Sequence, residues 1–408
     1  MRSVPRGWRD AAAAILFAAL AAEVGRAATF EPEVHADLGH SEDAYYVAVE
    51  PRPDWFAVFA LVLPLRGEGQ RNRWELSYRP SAFRYRDLSE LDHYEHRVRV
   101  GAESIARRET SFAIEAGWAR SQEQGNATSV LAGDLFLVPR SELEALSFGA
   151  SLRREQGARF VWNVEARGAD ADYSPIPDAE TEPPSAILED RREYELVAGF
   201  GRLVSRAAEV GLEYRYRRYD LDVTGEENDH LVSVTASRRL SERTAVEGRV
   251  GAFRRDLASP PAVEAPGDAT DTGIQASVGI ERTSRQGRFS LEGSHGPSSG
   301  GALEGTSTDT VAGIRWEGAR AERLRWDAGA RWARRDPTIE GEPTLRSAGM
   351  GAGIEWLPRR QVGLRARADW VHQSGDETAV RNGSFLTASI GASWYPGGAT
   401  SRPGTGRR

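Results

Sequence analysis

The sequence predicts an all-β fold, a transmembrane antiparallel up-and-down β-barrel of about 18 strands. Three observations carry this expectation. The first is the segment Arg323–Trp332, where Leu324, Trp326, Ala328, Ala330 and Trp332 alternate with Arg323, Arg325, Asp327, Gly329 and Arg331. A period of two sends these sets to opposite faces of a strand, one apolar and one ionic. The second is recurrence. The pattern returns at each hairpin to the end of the chain, and no helical segment after the first residues covers the apolar faces. The third is that the connections alternate between short and longer. A closed barrel with lipid outside and water inside satisfies all three.

The chain has 408 residues, a formal net charge of −7 and no cysteine, with a mean hydropathy of −0.51. Such polarity excludes a helical membrane bundle but suits a barrel, where half of each strand faces water. All 53 basic residues are arginines. The absence of cysteine excludes a lipoprotein anchor, disulfides and a thiolate metal site. Residues 1–27 read as a signal peptide: Arg2, Arg6 and Arg9 precede an apolar core, Ala11–Ala22, and Gly25 and Ala27 suit the small cleavage positions. The core is shorter than the about 20 residues a spanning helix needs. Cleavage after Ala27 removes four arginines and two acids, Asp10 and Glu23, so the charge goes from −7 to −9. Residues 28–396 are the barrel and 397–408 a polar tail.

In order, the predicted strands are 32–40, 53–66, 71–86, 91–105, 108–121, 140–154, 157–170, 189–202, 206–221 and 227–240, then 243–256, 270–284, 286–296, 305–318, 321–335, 343–358, 360–374 and 380–396. A strand of about 14 residues rises roughly 46 Å and, tilted near 45°, spans about 33 Å. Tight turns are expected at Arg66–Arg71, Arg107–Arg108, Arg154–Gly157, Val204–Arg206, Leu240–Arg243, Ser284–Gly287, Gly318–Ala321 and Leu357–Arg360. Longer loops are expected at 41–52, 122–139, 171–188, 222–226, 257–269, 297–304, 336–342 and 375–379. Short periplasmic turns and larger outer loops give this alternation, with both termini on the periplasmic side. Trp74, Trp162, Trp316, Trp356 and Trp394 fall near the short turns or the chain's end, and Trp118, Trp332 and Trp370 toward the loops, as two bilayer interfaces select. The last strand, with Leu386, Ala388, Ile390, Ala392 and Trp394, reads as an assembly signal. Loops 171–188 and 257–269 are acidic and proline-rich and read as exposed, without structure of their own.

An ordered series of short motifs runs through the first third: Ser41-Glu-Asp-Ala-Tyr-Tyr, Pro51-Arg-Pro-Asp-Trp, Leu63-Pro-Leu, Trp74-Glu-Leu-Ser-Tyr-Arg-Pro-Ser-Ala-Phe-Arg-Tyr, Leu91-Asp-His-Tyr-Glu-His and Asp134-Leu-Phe-Leu-Val-Pro-Arg. Over residues 30–140 this resembles a family of Gram-negative outer-membrane β-barrel porins that accompany exopolysaccharide export systems. Beyond that range the resemblance is one of strand rhythm. It implies a place at the outer-membrane end of polymer secretion, with periplasmic export proteins as partners, and it supplies no catalytic residues.

Candidate chemistry is sparse. His93 and His96 have metal-like spacing, but on a strand positions three apart face opposite ways. Gly39-His-Ser-Glu-Asp gathers hydrolase-like residues without a nucleophile elbow. Glu226-Glu-Asn-Asp and Asp376-Glu could meet calcium but lack the EF-hand spacing. The stronger signal is the set of arginines that parity aims inward as pore-lining: Arg97, Arg99, Arg215, Arg217, Arg249, Arg323, Arg325, Arg331, Arg365 and Arg367. Glu75, Glu95, Glu115, Glu165, Glu213, Glu247, Asp327 and Asp369 share those faces. Such a lining can stiffen the wall through ion pairs, grip passing carboxylates and phosphates with guanidinium forks, or do both.

Arginine also marks the short turns, among them Arg66, Arg71, Arg206, Arg243, Arg359 and Arg360, whereas the outer loops carry acids such as Glu180, Glu182, Glu226, Glu227, Asp229, Glu264 and Asp376. A basic inner mouth and an acidic rim would draw in an anionic chain and discourage its return. The expected function is therefore an outer-membrane conduit for secretion of an anionic exopolysaccharide, with outer-membrane lipid and lipopolysaccharide as surroundings. No enzyme activity, cofactor, metal or nucleic-acid partner is expected. The alternatives are a scaffolding barrel that anchors a periplasmic assembly and, third, an outer-membrane hydrolase.

Overall fold

The computed structural model describes residues 28–43, 52–107, 109–123, 141–157, 159–175, 190–222, 225–257, 269–298, 306–320, 323–338, 344–375 and 383–397. The expected signal peptide, nearly all of the tail and most of the longer loops lie outside these residues. The strands are β1 (Ala28–Phe30), β2 (Glu33–Ser41), β3 (Asp54–Glu68), β4 (Asn72–Tyr85), β5 (His93–Arg107), β6 (Thr110–Glu123), β7 (Ser141–Gln156), β8 (Phe160–Pro175), β9 (Arg191–Ser205) and β10 (Ala208–Leu221). They continue as β11 (Gly225–Ser241), β12 (Thr244–Leu257), β13 (Ala269–Thr283), β14 (Gly287–Ser298), β15 (Ser307–Arg320), β16 (Leu324–Pro337), β17 (Leu345–Arg359), β18 (Val362–Gly375) and β19 (Gly383–Trp394).

Each strand from β2 to β19 pairs antiparallel with its sequence neighbours, and β19 pairs back to β2 from Thr387↔Ser41 to Trp394↔Val34. β1 and β2 are two pieces of one barrel strand. Both lie on β3 in a single register, Phe30↔Leu65 and Glu33↔Val62, interrupted at Pro32, which has no N–H to give. The result is a closed antiparallel barrel of 18 strands, as the alternation predicts. Closure leaves no free edge, the condition a bilayer imposes on a sheet.

The register assigns every side chain to one of two faces. Leu38, Phe148, Leu212, Val234, Val250, Ile274, Ile354 and Ile390 lie exposed on one of them. The other is concave: Arg153 of β7 donates to Glu209 of β10 at 3.0 Å, and Arg217 of β10 donates to the carbonyl of Pro297 in β14 at 3.2 Å. Strands three or four apart can meet only across the inside. The charged set therefore faces the lumen, and the apolar set forms a band whose exposure fits lipid. Trp162, Trp316, Trp356 and Trp394 are exposed in that band near the short turns. Trp74 departs from the expected belt: it is only 7 % exposed, because its indole lies over Gly67, where any Cβ would overlap the ring.

Among the boundaries that differ from expectation, two move loop residues into strands. β8 continues to Pro175, so Tyr173 and Ser174 belong to a strand and not to the proline-rich loop; the Asp190 carboxylate accepts the Tyr173 N–H at 2.6 Å. β11 begins at Gly225, two residues before the predicted start, so Glu226 joins Glu227 and Asp229 in the strand. The short connection between β4 and β5 is tied down by Asp54, whose carboxylate accepts the N–H groups of Asp87 and Leu88 at 3.0–3.2 Å.

Candidate functional site

Nine of the ten selected arginines occupy inward positions of the register. Arg97 lies 3.6 Å from Glu95. Arg99 is exposed to the lumen and has no ion pair among the described residues. Arg325 meets Glu355 at 3.2 Å, and Arg331 approaches Glu292 at 3.8 Å. Arg367 bridges Asp327 at 3.0 Å and Asp369 at 2.6 Å. Arg365 pairs with Asp37 and approaches His35 at 3.1 Å, tying β18 to β2 across the closing strand β19. The bridge passes over Gly391, where a Cβ would collide with Asp37 and with the Ala36 carbonyl. Arg323 is the exception: it sits in the turn ahead of β16 and not on the wall, because the strand starts one residue later. Below this cluster Tyr395, just past β19, donates to Glu355 at 2.5 Å; burial, then that contact, pushes its phenol up to about 12.

The densest part of the inner wall lies on β9, β10 and β12. Glu195 accepts from Arg217 Nε at 2.6 Å and lies 3.6 Å from Arg215 and 3.9 Å from Arg167. Glu213 meets Arg215 and Arg249, each at 3.1 Å. Arginines and carboxylates thus alternate along the wall, each acid shared by at least two guanidiniums. The lumen also encloses a cavity of about 470 Å³ reaching from β9 and β10 to β16. Its charged lining is Arg215, Arg217, Arg249, Arg331 and Arg335 with Glu193 and Asp309, and Glu195, Glu213 and Glu292 pair with four of these arginines from just outside it. The Nε–H groups of Arg215 and Arg249 and the Tyr219 hydroxyl are buried without a hydrogen-bond partner among the described residues. Such donors have unused capacity for an acceptor.

Arg255, Arg335, Glu195 and Tyr219 were not selected from the sequence. The parity that selects Arg249 and Arg331 also selects Arg255 and Arg335. The doublets Arg254-Arg255 and Arg334-Arg335 put an arginine on each face whatever the parity, which blunts the signal. The structure separates them: Arg254 and Arg334 pair outside with Asp256 and Asp336, at 2.9 and 2.8 Å. Arg335 grips Asp309 with two bonds of 2.9 and 3.1 Å. Arg255 and Asp229 are both fully buried and joined at 2.7 Å, so Asp229 is not part of an acidic rim.

The other candidates fall to geometry. His96 faces outward beside Tyr78, 2.9 Å away, while His93 faces inward and stacks on Phe83 at 4.5 Å, so the two share no metal site. His40 points outward against Trp55, and Ser41 donates inward to the Asp43 carbonyl at 2.9 Å, which separates the serine from the histidine. Glu226 pairs with Arg218 at 2.7 Å; Asp376 and Glu377 lie outside the described residues.

No family model matches the chain, and no curated protein matches it. Among solved structures it is similar to Acinetobacter baumannii OccAB2 (14 % identity, TM-score 0.46, covering 90 % of this chain and 98 % of that one). It is similar too to Pseudomonas aeruginosa OccK2 in complex with glucuronate (12 %, 0.45, 90 % and 98 %). A third is the FrpB iron transporter of Neisseria meningitidis (9 %, 0.45, 85 % and 61 %). A likeness at this level concerns overall shape, so what passes through this lumen has to be read from the chain's own residues.

Proposed function

We infer that the protein is an outer-membrane conduit for anionic solutes, whose inner wall offers passing carboxylates or phosphates a succession of arginines. The observation that carries this reading is the lumenal cavity, where five guanidiniums converge and Arg215 and Arg249 keep unused donors beside their carboxylate partners. A guanidinium shared between fixed acids and a mobile one binds weakly, and weak binding at many places is what conduction requires. Barrels of 16–18 strands leave an aqueous channel unless a plug fills it. The ion pairs have a second effect: they hold the arginines in place, so the lining keeps its shape when empty.

A secreted anionic polysaccharide is the narrower form of this reading. It is supported by the motif series in residues 30–140 and by the arginines at the short turns, which would make a basic periplasmic mouth. The test is a bilayer recording at low salt. An acidic oligosaccharide added on the periplasmic side should interrupt the current more often than the same oligomer added outside. Raising the salt should erase the difference, as the Debye length falls from about 30 Å at 0.01 M to about 3 Å at 1 M. A neutral oligomer that blocks as often as the acidic one would defeat the anionic reading. Block by acidic monomers alone would leave small solutes and remove the polymer.

A further inference from the structure

The outward face of β14–β19 carries a feature that the channel reading does not use. Between Ile314 and Trp316 on one side and Met350 and Trp370 on the other lies an open groove of about 830 Å³. Its floor is built from small residues of β16–β18, among them Ala330 and Ala352. Large side chains standing around short ones make the hollow: Ile314, Trp316 and Met350 are 43, 50 and 54 % exposed. In a bilayer such a hollow fills with acyl chains. Lipid tails are as apolar as the groove, so filling it selects no class of lipid. Selection has to come from the residues that stand above it.

The floor strands β16 and β17 run on from the groove toward the longer connections, to Arg334 and Arg346, which are register partners on the same outward face. From Ala330 to Arg334 is four residues, about 13 Å along the strand. The path passes Trp332, whose ring belongs to the aromatic belt at the bilayer interface. Like charges directly opposite each other on a sheet are destabilising. Arg334 is answered by Asp336, with bonds of 2.8 and 3.0 Å. Arg346 is exposed and has no ion pair among the described residues. The other outward arginines at this end of the barrel differ from it. Arg84, Arg120, Arg192, Arg218 and Arg254 each lie 2.7–3.8 Å from a carboxylate. Next to the arginine pair, His372 stacks on Trp370 and is hydrogen-bonded to Ser384 at 2.9 Å. An unanswered positive charge with polar neighbours thus sits directly over an apolar hollow.

We propose that this face docks a phosphorylated, multiply acylated lipid of the outer leaflet, the lipid A portion of lipopolysaccharide. Its phosphate lies between Arg334 and Arg346, and an acyl chain occupies the groove below. A guanidinium fork takes a phosphate through two parallel bonds, and an anion placed between the two arginines removes their repulsion. The inference rests on the barrel lying in an outer membrane with its longer connections outward, and not on which solute uses the lumen.

The test counts bound lipid on the full-length protein in detergent micelles by native mass spectrometry. The probes are lipid A carrying its phosphates, the same lipid dephosphorylated, and phosphatidylethanolamine. A chelator is present throughout, so that no divalent ion bridges phosphate to the acids of the girdle. One lipid A should stay bound per barrel, several-fold more often than either other lipid. Arg346→Gln should lower that retention several-fold, and Arg346→Lys should keep part of it. Ala330→Phe, which fills the groove from its floor, should lower it as well. Arg254→Gln, in the same girdle but away from the groove, should leave it unchanged. Equal retention of the dephosphorylated lipid, parental binding by Arg346→Gln, or an equal loss in Arg254→Gln would each overturn the site. So would a second barrel seated on this face, seen as dimers that Ala330→Phe disperses. A barrel that retains the lipid but passes no current would refute the conduit and leave this site standing, and current without retention would do the reverse.

Discussion

The buried pair Arg255–Asp229 gives the sharpest energetic prediction. Both side chains are at 0 % exposure and meet at 2.7 Å, with a second bond of 3.2 Å between Nη2 and Oδ2. The remaining donors of Arg255 are absorbed by Thr306, Thr338 and the Ser307 carbonyl. Asp229→Asn keeps the shape and an acceptor but leaves a guanidinium buried without a counter-charge. Breaking a buried pair from one side costs about 3–5 kcal/mol, since the surviving ion keeps its desolvation penalty. Replacing both, as Arg255→Met with Asp229→Leu, should recover much of that loss, because neither desolvation cost is then incurred. The assay is urea unfolding of the protein in vesicles, followed by tryptophan emission, with Arg255→Met, Asp229→Leu and their double variant closing a cycle and Asp229→Asn measured beside them. If Asp229→Asn fell within about 1 kcal/mol of the parent, the range of a solvent-exposed pair, the site would be wet and the reasoning wrong.

Two further predictions address the faces and the direction of the barrel. Val250, 56 % exposed at the middle of β12, should not tolerate Val250→Arg, which costs about 2–4 kcal/mol at the bilayer midplane. Arg99→Leu, on the inner wall, should fold nearly as the parent does, and equal loss of heat-modifiable barrel on gels would mean the faces are assigned the wrong way round. A tag inserted near Pro183, between β8 and β9, should be reached from outside intact cells, while one at Arg359–Arg360 should not. Reversed access would overturn the orientation.

Much of the barrel is legible in the sequence because two-residue periodicity is a local signal, repeated in every strand. Arg323–Trp332 displays it without a break, and a register slip of one would turn every side chain to the wrong face. Turn positions are legible for the same reason. The partners of the inner arginines are not, since they are set by which strands become neighbours and by the stagger between them. Nothing near Arg365 in the sequence points to Asp37, which reaches it only because the last strand closes on the first. Arg217 and the Pro297 carbonyl, four strands apart, meet only through the curvature of the wall. Asp229 misled for a related reason. An acid three residues beyond the predicted loop 222–226 looks like part of a rim even though it falls inside the predicted strand 227–240, and only its pairing with Arg255 on β12 shows it buried in the wall.

The central claim is that water and anions cross this barrel past its arginines. Purified protein in a planar bilayer under a salt gradient tests it directly. Discrete conductance steps and a reversal potential displaced toward that of the anion are expected, and Arg217→Gln with Arg331→Gln should reduce the displacement. A membrane that stays silent after insertion, or a reversal potential on the cation side, would contradict it.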